Sequence, residues 1–243
     1  MSHEFELRRE VVLPATPEQV FAAVTTGTAG WLFPLRMEPG AGGAAPPDPG
    51  VADWDPPHRF AVRQEGEAGW FNALEFVIEA RAGGTAVLRY VHSGIFADDW
   101  ETQYDATGKH TDFYLHSLGE YLRYFPGRTA TYVAAQGPAV SAAEESLTAV
   151  KDALGLPGAA GAGTPVRFEV PGLAPQEAVV DYINPYFLGL RADEALYRFY
   201  GRNAFGGTVD LAHHLFAPDA DGETARRAWG AWLNGAFDHD KGR

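Results

Sequence analysis

With 243 residues, a mass of 26.3 kDa and 46% hydrophobic side chains, the chain is long enough to bury a core without cross-links and too apolar to stay disordered. Its 19 Lys and Arg against 32 Asp and Glu leave a formal charge of -13, which repels phosphate backbones and anionic lipid and so excludes nucleic acid as the expected partner. The absence of cysteine excludes disulfides, thiolate metal sites, iron–sulfur ligation and thiol nucleophiles.

The opening MSHEFELRRE lacks the apolar stretch of a secretory leader, and no uncharged run approaches the roughly 20 residues that cross a bilayer. A cytoplasmic location without a membrane span is expected. FELRREVVLP reads as a strand ending at Pro14, and Thr16, Pro17 and Gln19 then supply the cap, first position and capping-box partner of a short helix. Gly27 and Gly30 interrupt it before Trp31, Leu32, Phe33 and Pro34, after which a hairpin or a second short helix is expected. Residues 40–50 are rich in Gly, Ala and Pro and read as a loop.

Three strand-like runs follow at 58–64, 73–80 and 85–92, the last two joined by Gly83 and Gly84, a hairpin signal. Alternation puts Leu74, Phe76 and Ile78 on one face and Glu75, Val77 and Glu79 on the other. In the next run Leu88, Tyr90 and His92 share a face. Residues 98–125 place Tyr104, Thr111, Tyr114, Leu115, Leu118, Tyr121, Leu122 and Phe125 at three- and four-residue steps, predicting the longest helix of the chain. Gly108 inside it predicts a break or a late start, and Pro126 and Gly127 end it.

After residue 128 the order begins again. Residues 129–136 read as a strand. A helix capped by Ser141, with Glu144 three residues on, closes at Gly155. PVRFEV, AVVDYI, YFLGLR, ALYRFYG and TVDLAHHLF read as strands, and DGETARRAWGAWLNGAF as a final helix. The pattern predicts an α+β protein of two units, 1–128 and 129–243, the second a degenerate repeat of the first. Tyr182, Tyr186, Phe187, Tyr197, Phe199 and Tyr200 are clustered enough to pack on one another, so the second unit is expected to be filled.

Strand, short helices, a run of antiparallel strands and one long helix is the order of the helix-grip, or START-like, fold. The strings VVLPATPEQVFAAVTTGTAGWLFP, WDPPHRFAV and GGTAVLRYVHSGI resemble bacterial homologues of the heat-shock protein 90 ATPase activator, within the SRPBCC superfamily. The resemblance covers about residues 4–126, and its motifs are structural rather than catalytic. It implies an antiparallel sheet wrapped on its long C-terminal helix, with an elongated apolar cavity between them. Relatives in that superfamily bind lipids or hormones, cyclise polyketides, sequester toxins or act as co-chaperones.

Trp31, Phe33, Trp70, Phe71 and Phe76 fall where such a fold faces inward, as do Tyr90, Trp100, Tyr104, Tyr114 and Tyr121. A pocket lined by them would stack a flat, mostly apolar molecule; packing as plain core accounts for the same residues. His92, beside Tyr90 on the inner face, is placed to hydrogen-bond a ligand carbonyl or to move a proton. His110 and Tyr114, four apart on the inner helical stripe, would form a polar end of the same cavity. Asp112, His116 and Glu120 read as a solvated helix face, and His213 and His214 point to opposite sides of a strand, so neither group is read as a metal site. No nucleophile elbow, zincin motif, phosphate loop or dinucleotide fingerprint occurs in the sequence.

The sequence therefore reads as a START-like protein that holds a small hydrophobic or aromatic molecule non-covalently and without a cofactor. Two alternatives stay open: a cyclase- or hydratase-type enzyme using His92 as acid or base, and a co-chaperone-like protein-binding module. The charged outer residues Glu75, Glu79 and Arg89 speak against the second, and a homodimer is left open.

Overall fold

In a computed structural model, which describes residues 3–35, 37–96 and 100–238, the first unit (Met1–Arg128) begins with strand β1, His3–Leu13. Its alternation of buried Phe5, Leu7 and Leu13 with exposed Glu4, Glu6, Arg8 and Glu10 gives the strand one apolar face. Helix α1, Pro17–Val24, starts as expected. Thr16 Oγ1 accepts the Gln19 N–H at 3.4 Å, and Thr16 N–H donates to Gln19 Oε1 at 3.0 Å. Strands β2 (Val51–Asp55), β3 (Arg59–Glu65), β4 (Phe71–Arg81) and β5 (Thr85–Phe96) and helix α2 (Trp100–Tyr124) complete the unit.

The sheet is antiparallel throughout, in the order β1-β5-β4-β3-β2, so the first strand hydrogen-bonds to the last. Helices α1 and α2 pack on the same face of it. This is the helix-grip arrangement.

Strand β2 has no counterpart in the sequence reading. Two aspartates in its five residues suggest a turn, but Trp54 packs on Phe21 and Phe60 at 5.0 and 5.7 Å and pins the segment to the sheet edge. Among the described residues no hairpin stands between Pro34 and β2, and the short helix there is a three-residue 3-10 turn at Ala41–Gly43; another 3-10 turn, Thr28–Gly30, precedes Trp31. Gly108 neither breaks nor delays α2. It is buried, and a Cβ there would meet Arg9 Nη2 at 3.5 Å and Leu7 Cδ1 at 3.8 Å. The helix thus lies close over β1, and burial of Thr111, Phe113, Leu115 and Leu118 outweighs the roughly 1 kcal/mol that glycine costs in a helix. Residues 98 and 99, where the reading began this helix, lie outside the described residues.

The second unit (Thr129–Arg243) repeats the winding with one more strand. Strand β6 (Thr131–Gln136), helix α3 (Ser146–Ala153), strands β7 (Pro165–Phe168), β8 (Gln176–Ile183), β9 (Phe187–Ala192), β10 (Ala195–Gly201) and β11 (Val209–Leu215) and helix α4 (Gly222–Gly235) form a sheet of order β6-β11-β10-β9-β8-β7 with α4 packed on it. Ser141 does not cap α3. Its buried hydroxyl accepts the Val209 N–H at 3.1 Å, which ties it to the sheet, and the helix starts after Glu145. Gly155, in the left-handed region at φ 70°, closes that helix as expected.

Of the six clustered aromatics of this unit, the four on β9 and β10 divide between two faces, because their strands alternate. Tyr197 and Phe199 face α4 and pack on Trp229 at 5.4 and 5.9 Å. Phe187 and Tyr200, opposite each other in the ladder, face the other way. That second face also holds a buried ion pair, Arg198 Nη1 to Asp181 Oδ1 and Oδ2 at 3.1 and 2.9 Å. The pair reaches across β9 at Gly189, where a Cβ would stand 2.8 Å from Arg198 Nη1.

Candidate functional site

Residues opposite one another in an antiparallel ladder share a face, so the register of β1, β3, β4 and β5 defines the inner surface row by row. One row joins Phe60, Phe76, Tyr90 and Arg9; the next joins Val62, Leu74, His92 and Leu7; the third joins Gln64, Asn72, Gly94 and Phe5. Before these rows the face is sealed, with Ile78 1% and Leu88 0% exposed. Along them burial is mixed: Phe60, Phe76, Leu7, Phe5 and Gly94 stay buried, while Val62, Leu74, Tyr90, His92 and Asn72 are half-buried.

An aromatic line runs through this opening. The Phe76 and Tyr90 rings lie 5.2 Å apart, Tyr90 and His92 6.4 Å, and Phe5 meets the His92 ring edge-on at 5.0 Å. Gly94 makes room for it, since a Cβ there would stand 2.9 Å from Phe5 Cε1. This gives a physical reason for the glycine in the His-Ser-Gly exit from β5.

Helix α2 supplies the facing wall. The Tyr90 hydroxyl hydrogen-bonds Thr111 and feels Tyr114. The His110 ring, held by Nδ1 donation to Ala106 O at 2.8 Å, lies 6.1 Å from that of Tyr114. Arg9 clamps the helix to β1 beside Tyr90, its Nε donating to Asp112 Oδ1 at 2.5 Å. His92 Nε2 donates to Asn72 Oδ1 at 2.7 Å.

Burial holds the His92 imidazole well below its ordinary range, at about 4. Burial likewise raises the Tyr90 phenol, against the opposing effect of the Thr111 bond. At neutral pH both are therefore uncharged. The site offers neutral hydrogen-bonding groups among aromatic rings, which suits a neutral, flat molecule with a carbonyl or hydroxyl at one end.

Of the residues singled out in the sequence, the structure brings together Phe76, Tyr90, His92, His110 and Tyr114. Tyr104 stands at the Phe5 edge, 6.4 Å between rings and 37% exposed. The others do not converge on the opening. Trp31 is core, its indole N–H donating to Ala23 O at 2.8 Å, and Tyr121 is core above Gly30. Phe33 is 49% exposed. Phe71 belongs to the opposite parity and lies under Arg63, 4.0 Å from guanidinium to ring. Trp70 and Trp100, each 39% exposed, lie against the β3–β4 turn at Gly66 and on the His3 ring respectively. Asn72, Thr111 and Phe5 are not singled out as site residues by the sequence, although one further step of the Leu74, Phe76 and Ile78 alternation reaches Asn72 and Thr111 stands on the α2 stripe.

The outer face of this sheet is a charged lattice. Arg59 bridges Asp53 and Glu75 at 3.1 and 2.7 Å, and Arg89 bridges Glu10 at 2.9 Å and also Glu79. In the second unit His213 points inward onto Trp229, 4.3 Å between rings, while His214 lies on the other face beside Tyr132. Among the described residues no group of three or more His, Asp or Glu is arranged to hold a metal ion, and no helix is long and apolar enough to cross a membrane.

No protein-family model matches the chain, and no curated protein matches it. Solved structures do. DynU16, a protein of the dynemicin biosynthetic locus, is 18% identical, with 95% of this chain and 96% of that one aligned at a TM-score of 0.39. A protein from Mesorhizobium loti is 16% identical over 50% of this chain and 98% of its own, at 0.40. The Aha1 dimer from Colwellia psychrerythraea is 18% identical over 49% of this chain and 96% of its own, at 0.37.

Proposed function

We propose that the first unit is a START-like binding module of the SRPBCC kind, close to the bacterial homologues of the heat-shock protein 90 ATPase activator that its three sequence strings resemble. It holds a small, neutral, hydrophobic or aromatic molecule between β3–β5 and α2, without covalent chemistry. One observation carries this reading: the inner face under α2 passes from sealed core at Ile78 and Leu88 to half-buried Leu74, Tyr90, His92 and Asn72.

In this reading Phe76, Tyr90 and Phe5 stack the apolar body, while His92 and Tyr90 meet its polar end. Tyr104 and Tyr114 line the α2 side, and Trp70 and Trp100 stand as rim residues. A cyclase- or hydratase-type role for His92 fits the same geometry less well. An imidazole whose conjugate acid titrates at about 4 is a weak base at neutral pH. A co-chaperone role through the outer face fits less well still, since ion pairs among Arg59, Asp53, Glu75, Arg89, Glu10 and Glu79 lace that face.

Native mass spectrometry of the protein purified without added ligand is the test. A bound species of small mass, lost in Tyr90→Ala, is expected. A protein that carries nothing, and that binds no member of a panel of flat neutral aromatics, overturns the reading.

A further inference from the structure

On the inner face of the first unit, one polar atom is left for an occupant to fill. His92 Nε2 donates to Asn72 Oδ1 at 2.7 Å, and burial, which holds the conjugate acid at about 4, keeps the ring neutral at pH 7. A neutral imidazole carries one proton, so Nδ1 is a bare acceptor. It has no hydrogen-bond partner among the described residues, on a ring that the fold leaves half-buried rather than sealed. The inner-face histidine of the second unit has the same lone pair filled, since His213 Nδ1 accepts the Arg198 backbone N–H at 3.1 Å.

The polar groups beside His92 are of both kinds. Asn72 Nδ2 carries two protons, and the Tyr90 hydroxyl, two residues back on the same face of β5, keeps hydrogen-bonding capacity beyond its bond to Thr111. An acceptor on an occupant therefore finds partners, but only a donor satisfies Nδ1. A carbonyl or an ether covers that nitrogen without pairing it, which costs the desolvation of the lone pair. A carboxylate or phenolate does the same and also brings a charge beside two neutral groups, where the neighbouring cation, Arg9, is already held by Asp112. A hydroxyl on an aromatic ring meets both demands, giving its proton to Nδ1 and accepting from Asn72 or Tyr90. Its ring then lies among Phe5, Leu74 and Phe76, with the edge of Phe5 already against the imidazole at 5.0 Å between ring centres.

We propose that the first unit selects un-ionised phenols, held by donation of the phenol proton to His92 Nδ1. The selection rests on the reading of that unit as a binding module and adds to it the direction of the hydrogen bond.

The test is calorimetric titration of the full-length protein at pH 7 with 2-naphthol, 2-methoxynaphthalene and 2-acetylnaphthalene, which share one flat body and differ at the polar end. 2-Naphthol is expected to bind about five- to tenfold more tightly than the ether or the ketone, the weight of one hydrogen bond otherwise left unmade. In His92→Phe the three are expected to bind within about twofold of one another. Imidazole nitrogen-15 resonances of the unsubstituted protein give a readout that needs no variant. They are expected to show a protonated Nε2 and a bare Nδ1, the latter moving upfield with 2-naphthol and not with the ether. The proposal is overturned, with the binding reading intact, if the ether or the ketone binds as well as 2-naphthol, if the preference survives in a folded His92→Phe, or if the proton sits on Nδ1. If none of the three binds, the binding reading fails and the proposal falls with it.

Discussion

The two units wind their sheets in the same way, yet the faces under their long helices differ. Under α2, the rows around Tyr90 and His92 set half-buried polar groups beside buried Phe60, Phe76 and Leu7. Under α4, the same side of the sheet carries Tyr197, Phe199, Leu211 and His213, all buried, around a Trp229 that is 1% exposed. A histidine stands on the inner face of the last strand in both. In the first unit its ring donates to an asparagine at the edge of the opening; in the second, His213 Nδ1 accepts the Arg198 backbone N–H at 3.1 Å and the rest of the ring is walled by aromatics. One topology therefore carries two differently packed inner faces, and the helices that cover them differ in the side chains they present. Where α4 presents Trp229, the middle of α2 presents Thr111 and Tyr114.

Removing that side chain is the strongest way to break the contrast. Trp229→Ala empties the centre of the second core and is expected to cost about 3–5 kcal/mol, read as a fall in the denaturant midpoint; a loss below about 1 kcal/mol would mean that the packing described here does not hold the unit together. Acid comes next. Burial depresses both inner histidines, His92 to about 4 and His213 well below its ordinary value, for His213 with help from the charge of His214. Above about pH 6.5, the unfolded value, folded and unfolded chains are alike neutral at these positions and stability is complete. Below it the unfolded chain takes up protons that the fold refuses, so stability falls from about pH 6.5 toward 4. Thermal unfolding measured at pH 7 and pH 5 should show a lower Tm at pH 5, and His213→Met should flatten the slope. An unchanged Tm across that window contradicts the burial of these rings.

Smaller effects sharpen the description of the open face. Tyr90→Ala should weaken the first unit's ligand by more than about 1 kcal/mol, as for a central aromatic anchor. Trp70→Ala, at a ring 39% exposed against its own turn, should weaken it by less than half as much. Calorimetry on the two variants ranks them. The reverse order would move the site from the sheet's inner rows to its rim.

Much of this architecture was legible because local chemistry and tertiary position agree. The Thr16–Gln19 capping box, the Gly83–Gly84 hairpin and the alternation of β4 and β5 each state their own geometry, and Tyr90 and His92 follow from that alternation. What escaped depends on partners distant in sequence. Asp53 and Asp55 hide an edge strand that Trp54, reaching Phe21 and Phe60, helps to pin to the sheet. Gly108 looks like a helix break until Leu7 and Arg9 are seen beneath it. Ser141 looks like a cap until Val209 claims its hydroxyl. Aromatic identity did not reveal direction either: Phe71 and Phe76 lie five residues apart on one strand and so face opposite sides.

The ion pair across β9 has a meaning for how the second sheet finds its pairing. Arg198 and Asp181 meet only because the residue between them on the middle strand is Gly189, flanked by Leu188 and Leu190. Sliding β9 by one position would drive a leucine into that gap and strand two buried charges, while turning the leucines away from Trp229. The misaligned sheet thus loses on both faces at once. The charges act less as a weld than as a proofreading mark, making wrong alignments of three neighbouring strands costly from the moment they form.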